Sequence, residues 1–246
     1  MDEEGNEIDR IVGYMPPAEY LAEMTRIRNG INTIPDLSKQ LQEDPDNVDL
    51  LVTLATKIEK MSGLKAAIGY WEELFAKATA TPYQHSIASL KMAMFHAREN
   101  KDPETLVSFV NSETNTEVLP EAYDALRNFY RGAKDTVAEA ETYRRFVDFM
   151  SGIHKEDPGF LNGYAWRMTQ LELNLENALE RVNQAIGMFT EADEARDKAQ
   201  VMDTKGEILW KLGRIDEAVA VMDECIVLQP EDKYYPEQKA KFQTPS

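Results

Sequence analysis

The chain has 246 residues and is 43% hydrophobic, enough for one extended core or two compact ones and too apolar for wholesale disorder. Its 27 Lys and Arg stand against 44 Asp and Glu, a net charge of −17 that repels nucleic acid and anionic membrane and would suit a cationic partner, although a solvated acidic surface is the commoner explanation. A lone cysteine, Cys225, excludes an internal disulfide and any Cys-x-x-Cys pair, and no apolar run is long enough to span a bilayer.

Residues 1–30 read as a small β/α unit. Gly5-Asn6 accepts positive φ, as a two-residue hairpin turn requires. Glu7–Tyr14, rich in Ile, Val and Tyr, reads as a short strand centred on Ile8–Val12. Pro16-Pro17 ends it, and Pro17 opens a helix whose Tyr20, Leu21, Met24 and Ile27 fall at helical spacing before Asn29-Gly30. Only Met1–Glu3 precede the turn, so the strand has no visible partner. An arm docked on the next helix is the plainer alternative.

Residues 31–45 read as a linker helix, and from there on no strand is expected. Breaks at Asp44-Pro45, Ser62-Gly63, Thr81-Pro82, Asp102-Pro103, Leu119-Pro120, Asp157-Pro158, Gly213 and Gln229-Pro230 cut the chain into helices of a few turns each. In "AQVMDTKGEILWKLGRIDEAVAVMDECIVLQP" Gly206 sits mid-helix, where a missing side chain lets a facing helix approach. Gly213 turns the chain, Ala218 lies opposite Gly206, Met222 and Cys225 continue the stripe, and Pro230 closes the unit. The steps recur upstream. Leu51, Leu54, Ala55 and Ile58 face Ala67, Trp71 and Leu74, and Ala178, Val182 and Ala185 repeat them after a first helix that puts Trp166 where a small residue is usual. The segments 86–111, with Ala93 and Thr105 at the small positions, and 121–150 fit as hairpins of the right length.

This pattern resembles the tetratricopeptide repeat, a helix–turn–helix unit of about 34 residues. The resemblance implies an all-α superhelix over 46–246, with five hairpins, a capping helix Tyr234–Phe242 that turns Lys239 and Lys241 to water, and a frayed tail at 243–246. It also implies that Arg167, Gln170, Glu207 and Trp210 project from first helices onto the concave face, where such arrays bind a peptide or protein.

The stretch "EEGNEIDRIVGYMPPAEYLAEM" resembles the end of a thioredoxin-like domain: final hairpin, an Ile-Val-Gly strand, and a terminal helix across the sheet. Thioredoxin-like domains followed by tetratricopeptide repeats are a familiar bacterial arrangement. The resemblance implies that residues 1–30 are the remnant of such a domain and that its Cys-x-x-Cys and cis-proline would lie upstream of Met1. If so, a leader could also lie upstream, which leaves cytoplasm and periplasm both open.

No catalytic constellation emerges. His85, His96 and His154 show no metal-ligand spacing, Cys225 sits on a buried stripe, and the glycines make no phosphate loop. The expectation is therefore a protein-interaction scaffold that is not itself an enzyme and needs no cofactor or metal. The alternative is the C-terminal region of a thioredoxin-family thiol–disulfide oxidoreductase whose catalytic part is absent from this chain.

Overall fold

The computed structural model describes residues 5, 7–77, 79–190 and 195–244, and their regular structure is entirely α-helical, in thirteen helices with no strand. The helices begin and end at the punctuation read in the sequence. Thr81 and Gln84 close a reciprocal capping box (3.2 and 2.8 Å) with Pro82 at the first helical position. Asn47, Asp135 and Asp157 each accept a backbone N–H of the first turn, at 3.1, 3.0 and 2.7 Å. Gly63 and Gly213 turn the chain at φ +85° and +75°, conformations that cost a side-chain-bearing residue strain.

By internal contacts the chain divides into two compact units, Met1–Ala125 and Leu126–Ser246. In the first lie α1 (Pro17–Arg28), α2 (Ile34–Glu43), α3 (Val48–Ser62), α4 (Leu64–Ala76), α5 (Pro82–Asn100) and α6 (Glu104–Ser112). The division falls inside α7 (Leu119–Ala133). The second holds α8 (Thr136–Gly152), α9 (Pro158–Leu171), α10 (Leu175–Gly187), α11 (Ala195–Lys211), α12 (Ile215–Leu228) and α13 (Tyr234–Phe242).

The first unit is built on the α3–α4 hairpin. Leu51, Ala55, Leu64, Ala67, Trp71 and Leu74 close over one another and over Ala88 of α5. The α5–α6 hairpin follows, with the Thr105 hydroxyl donating to the Ala93 carbonyl at 3.0 Å, so the two small positions do touch. In the second unit Ala178 and Ala218 are fully buried. A Cβ at Gly206 would lie 2.7 Å from Cε of Met222 and 3.0 Å from Cε2 of Phe242, so these two side chains fill the space that glycine leaves. Pro230 directly follows Gln229, the C-cap of α12.

Three expectations need correction. Residues 7–16 form no strand: with no neighbouring strand, a β-prone segment has no ladder for its backbone. The Gly5-Asn6 turn lies partly outside the described residues, as does the loop around Glu191–Arg196. In the α9–α10 hairpin the buried small residue is Ala165, fully enclosed, whereas Trp166 turns outward at 43% exposure. Lys239 and Lys241 do turn to water, as expected, and each also pairs there with a carboxylate, Asp223 (2.5 Å) and Glu207 (2.6 Å). Of the tail, 245–246 lie outside the described residues, and Thr244 is held rather than frayed: its carbonyl accepts the Trp210 indole N–H at 2.6 Å.

The segment before α1 is the docked arm. The Asp9 carboxylate, 4% exposed, accepts from Arg26 of α1 and from Lys57 of α3, both at 2.6 Å, and the Ile8 carbonyl accepts from Ile34 N–H at 3.1 Å. Burial pushes the Asp9 carboxyl up, but its hydrogen bonds to Lys57 and Arg26 outweigh this and hold it below the ordinary aspartate range. α1 buries no residue, and Tyr14, Tyr20, Leu21 and Met24 are exposed.

Candidate interaction face

Within each unit, charged side chains of one helix are bound by those of its neighbours. In the first unit, Lys91 of α5 sits between Glu59 of α3 (2.8 Å) and Glu121 of α7 (2.7 Å). Glu59 also accepts the Trp71 indole N–H at 3.1 Å, and the Lys91 ammonium lies 5.8 Å from the Trp71 ring centroid. Burial disfavours the Lys91 charge, but Glu121 and Glu59 outweigh it and raise its pKa.

The second unit carries the candidate residues. Arg167 of α9 grips Glu139 of α8 with two donors, at 2.8 and 2.7 Å, and gives a third hydrogen bond to Gln170 at 3.2 Å. Glu139, 1% exposed, also receives Arg131 of α7 at 2.7 Å. Burial raises the Glu139 carboxyl, but the two guanidiniums outweigh it and hold it ionised below the ordinary range. Gln170 and Trp166 remain open to solvent.

Glu207 and Trp210 of α11 are covered by α13. Phe242 stacks on the Trp210 indole, centroids 5.7 Å apart at 30°. Lys241 binds Glu207 and lies 4.6 Å from the Trp210 centroid, within cation–π range. One helical turn back, the Tyr234 hydroxyl donates to Oδ2 of Asp203 at 2.9 Å. Thus Arg167 and Gln170 form one group, and Glu207 and Trp210 another beneath a helix of the same chain.

Sequence reading passed over Lys91, Glu139 and Asp203. Each lies at helical spacing with buried neighbours: Lys91 after Gln84 and Ala88, Glu139 before Tyr143 and Phe146, Asp203 between Ala199 and Gly206. A charge on an apolar stripe was the available signal, since such a group is buried only with partners.

Cys225 is buried, its thiol donating weakly to the Ala199 carbonyl at 3.6 Å, and burial pushes its pKa up to about 12. His85 packs edge-on against Phe75, and His96 against Phe95. Among the described residues no three His, Cys, Asp or Glu converge on one point, and no helix is long and apolar enough to cross a membrane.

No family model matches the chain, and no curated protein does. Among solved structures, a chain of BtubC (BKLC) from P. vanneervenii aligns with a TM-score of 0.52 at 14% identity, over 80% of this chain and 87% of that one. A chain from the structure of Naa15/Naa10 bound to HypK-THB aligns at 0.36 and 17% identity, over 92% of this chain but 32% of that one. The first likeness is one of fold: a helical-repeat architecture.

Proposed function

We propose that the protein is an interaction scaffold of the tetratricopeptide type, holding a protein or peptide segment against the first-helix face of its second unit, with no chemistry of its own. The observation that carries this reading is α13 itself. A short helix of the same chain already closes on α12 and on the edge of α11, held to α11 by an aromatic stack and one ion pair, with the Trp210 indole bonded to Thr244 just beyond it, so this end of the unit can accept a helical segment. On α9, Trp166 and Gln170 are exposed and Arg167 is fixed in place by Glu139, an aromatic and polar set of the kind that binding hot spots favour.

The test is capture of a partner by the intact chain, with cross-links mapping the contact, compared with Trp166→Ala, Gln170→Ala and Trp210→Ala variants of unchanged helical content. Expected is at least a tenfold loss of affinity, about 1.4 kcal/mol, for one or more of them. Equal capture by all four, or cross-links confined to the first unit, contradicts the assignment.

The exposed apolar face of α1 favours a second reading, in which this chain is the repeat-bearing C-terminal part of a thioredoxin-family oxidoreductase and a sheet of the parent protein covers Tyr20, Leu21 and Met24. Gene sequence encoding a Cys-x-x-Cys within the hundred or so codons before Met1 supports it. Dithiol-dependent reduction of insulin by the present chain, whose only thiol is buried, contradicts both readings.

A further inference from the structure

We propose that α13 is a proton-gated latch: a proton on the Asp203 carboxyl seats the helix on α11, and loss of that proton loosens it and uncovers Glu207 and Trp210. The latch stands whether or not a partner uses the face beneath it.

The geometry is that of a half-buried carboxyl on α11 with one side chain of α13 on it. Oδ2 of Asp203 accepts the Tyr234 hydroxyl, while Oδ1 is buried with no hydrogen-bond partner. A protonated carboxyl tolerates that enclosure, whereas a carboxylate loses water around one oxygen and gains nothing in return. The groups that bear on it come from three helices. Glu207, on α11, adds a like charge, and Lys241, from α13, opposes it. Tyr235 of α13 and Cys225 of α12 both feel the Asp203 charge, and burial keeps both neutral at physiological pH. Burial is the dominant influence and pushes Asp203 from the ordinary 3.8 up to about 6.

The sign follows from linkage. With α13 undocked, Asp203 meets water and ionises near its ordinary value. With α13 docked, it keeps its proton to about pH 6. The docked state therefore holds the proton more tightly. Its advantage is complete below about pH 4 and is lost as pH rises toward and through 6. A gap of about two pH units corresponds to roughly a hundredfold change in the docking equilibrium, most of it between pH 4 and 7.

The Trp210 indole N–H is a built-in reporter, because it donates to Thr244 just beyond the latch helix. In the full chain labelled with ¹⁵N, this signal (assigned with Trp210→Phe) is expected to titrate with a midpoint near 6. Exchange protection of the α13 amides, corrected for intrinsic rates, is expected to fall on the order of fiftyfold from pH 4 to pH 7.5. Asp203→Asn, neutral at every pH and still able to accept from Tyr234, is expected to stay latched and flat across that range. Tyr234→Phe removes a bond that favours the ionised form, so its midpoint is expected above that of the parent. A flat parent profile, or an Asp203→Asn profile that matches the parent's, overturns the latch. If Asp203→Asn fails to fold, an unmoved midpoint in Tyr234→Phe overturns it instead.

Discussion

An Ala218→Trp variant is expected to lose the packed α11–α12–α13 end of the second unit. Ala218 is fully buried, and its carbonyl lies only 3.8 Å from where a side chain at Gly206 would begin. The space around that crossing is already taken by Met222 and by Phe242, itself fully buried. An indole ring there must push α11 and α12 apart. Overpacking by single methylenes costs about 1–3 kcal/mol, and a whole ring exceeds that range. Against a total stability of about 5–15 kcal/mol, the segment should unfold or melt far below the rest. Hydrogen exchange resolved along the chain reads this directly: α11, α12 and α13 lose protection while α3 and α4 keep theirs. A melting curve and exchange pattern like the parent's contradict the register on which the hairpins are built.

Trp71→Ala is expected to have a comparable effect in the first unit. The ring is 1% exposed and is a central member of the cluster formed by Leu51, Ala55, Leu64, Ala67 and Leu74. Truncating a buried aromatic to alanine costs about 3–5 kcal/mol through lost burial and the cavity left behind. A polar loss adds to it, because the indole N–H satisfies Glu59 and the ring lies beside Lys91. Trp71→Phe separates the two contributions. It keeps most of the apolar fill, loses the hydrogen bond, and is expected to cost about 1–2 kcal/mol. Urea denaturation followed by circular dichroism measures both. A midpoint in Trp71→Ala equal to that of Trp71→Phe contradicts the assignment of the ring as the core's anchor.

The helices were legible because their signals are local. Thr81-Pro82 with Gln84, Asn47, Asp157 and Gly213 each act within one turn of chain, so residue type and spacing suffice. The apolar stripes were legible for the same reason. At Ala165 and Trp166 the stripe was misread by one position, since periodicity alone does not tell which of two adjacent residues meets the next helix. The Ile-Val segment after Gly5 has strand character, but a strand is a property of two segments, and no described residue supplies the second. The polar contacts were least legible. Lys57 meets Asp9 across 48 residues, and Lys241 meets Glu207 across 34. Nothing near either residue announces its partner. That a final helix caps the last hairpin was legible in its aromatic residues, of which Tyr235 and Phe242 are buried, but that it also engages Glu207 and Trp210 depends on a docking angle that residue spacing does not encode.

Asp9 and its two cations fasten the N-terminal arm and α1 with little apolar contact beneath. Arg26 and Lys57 keep 22% and 19% of their side-chain surface exposed, so dissolved ions reach this junction as they do not reach the interior of the hairpins. How firmly the first helix is held is accordingly a matter of ionic strength, a variable to which the stacked apolar layers beyond it are largely indifferent.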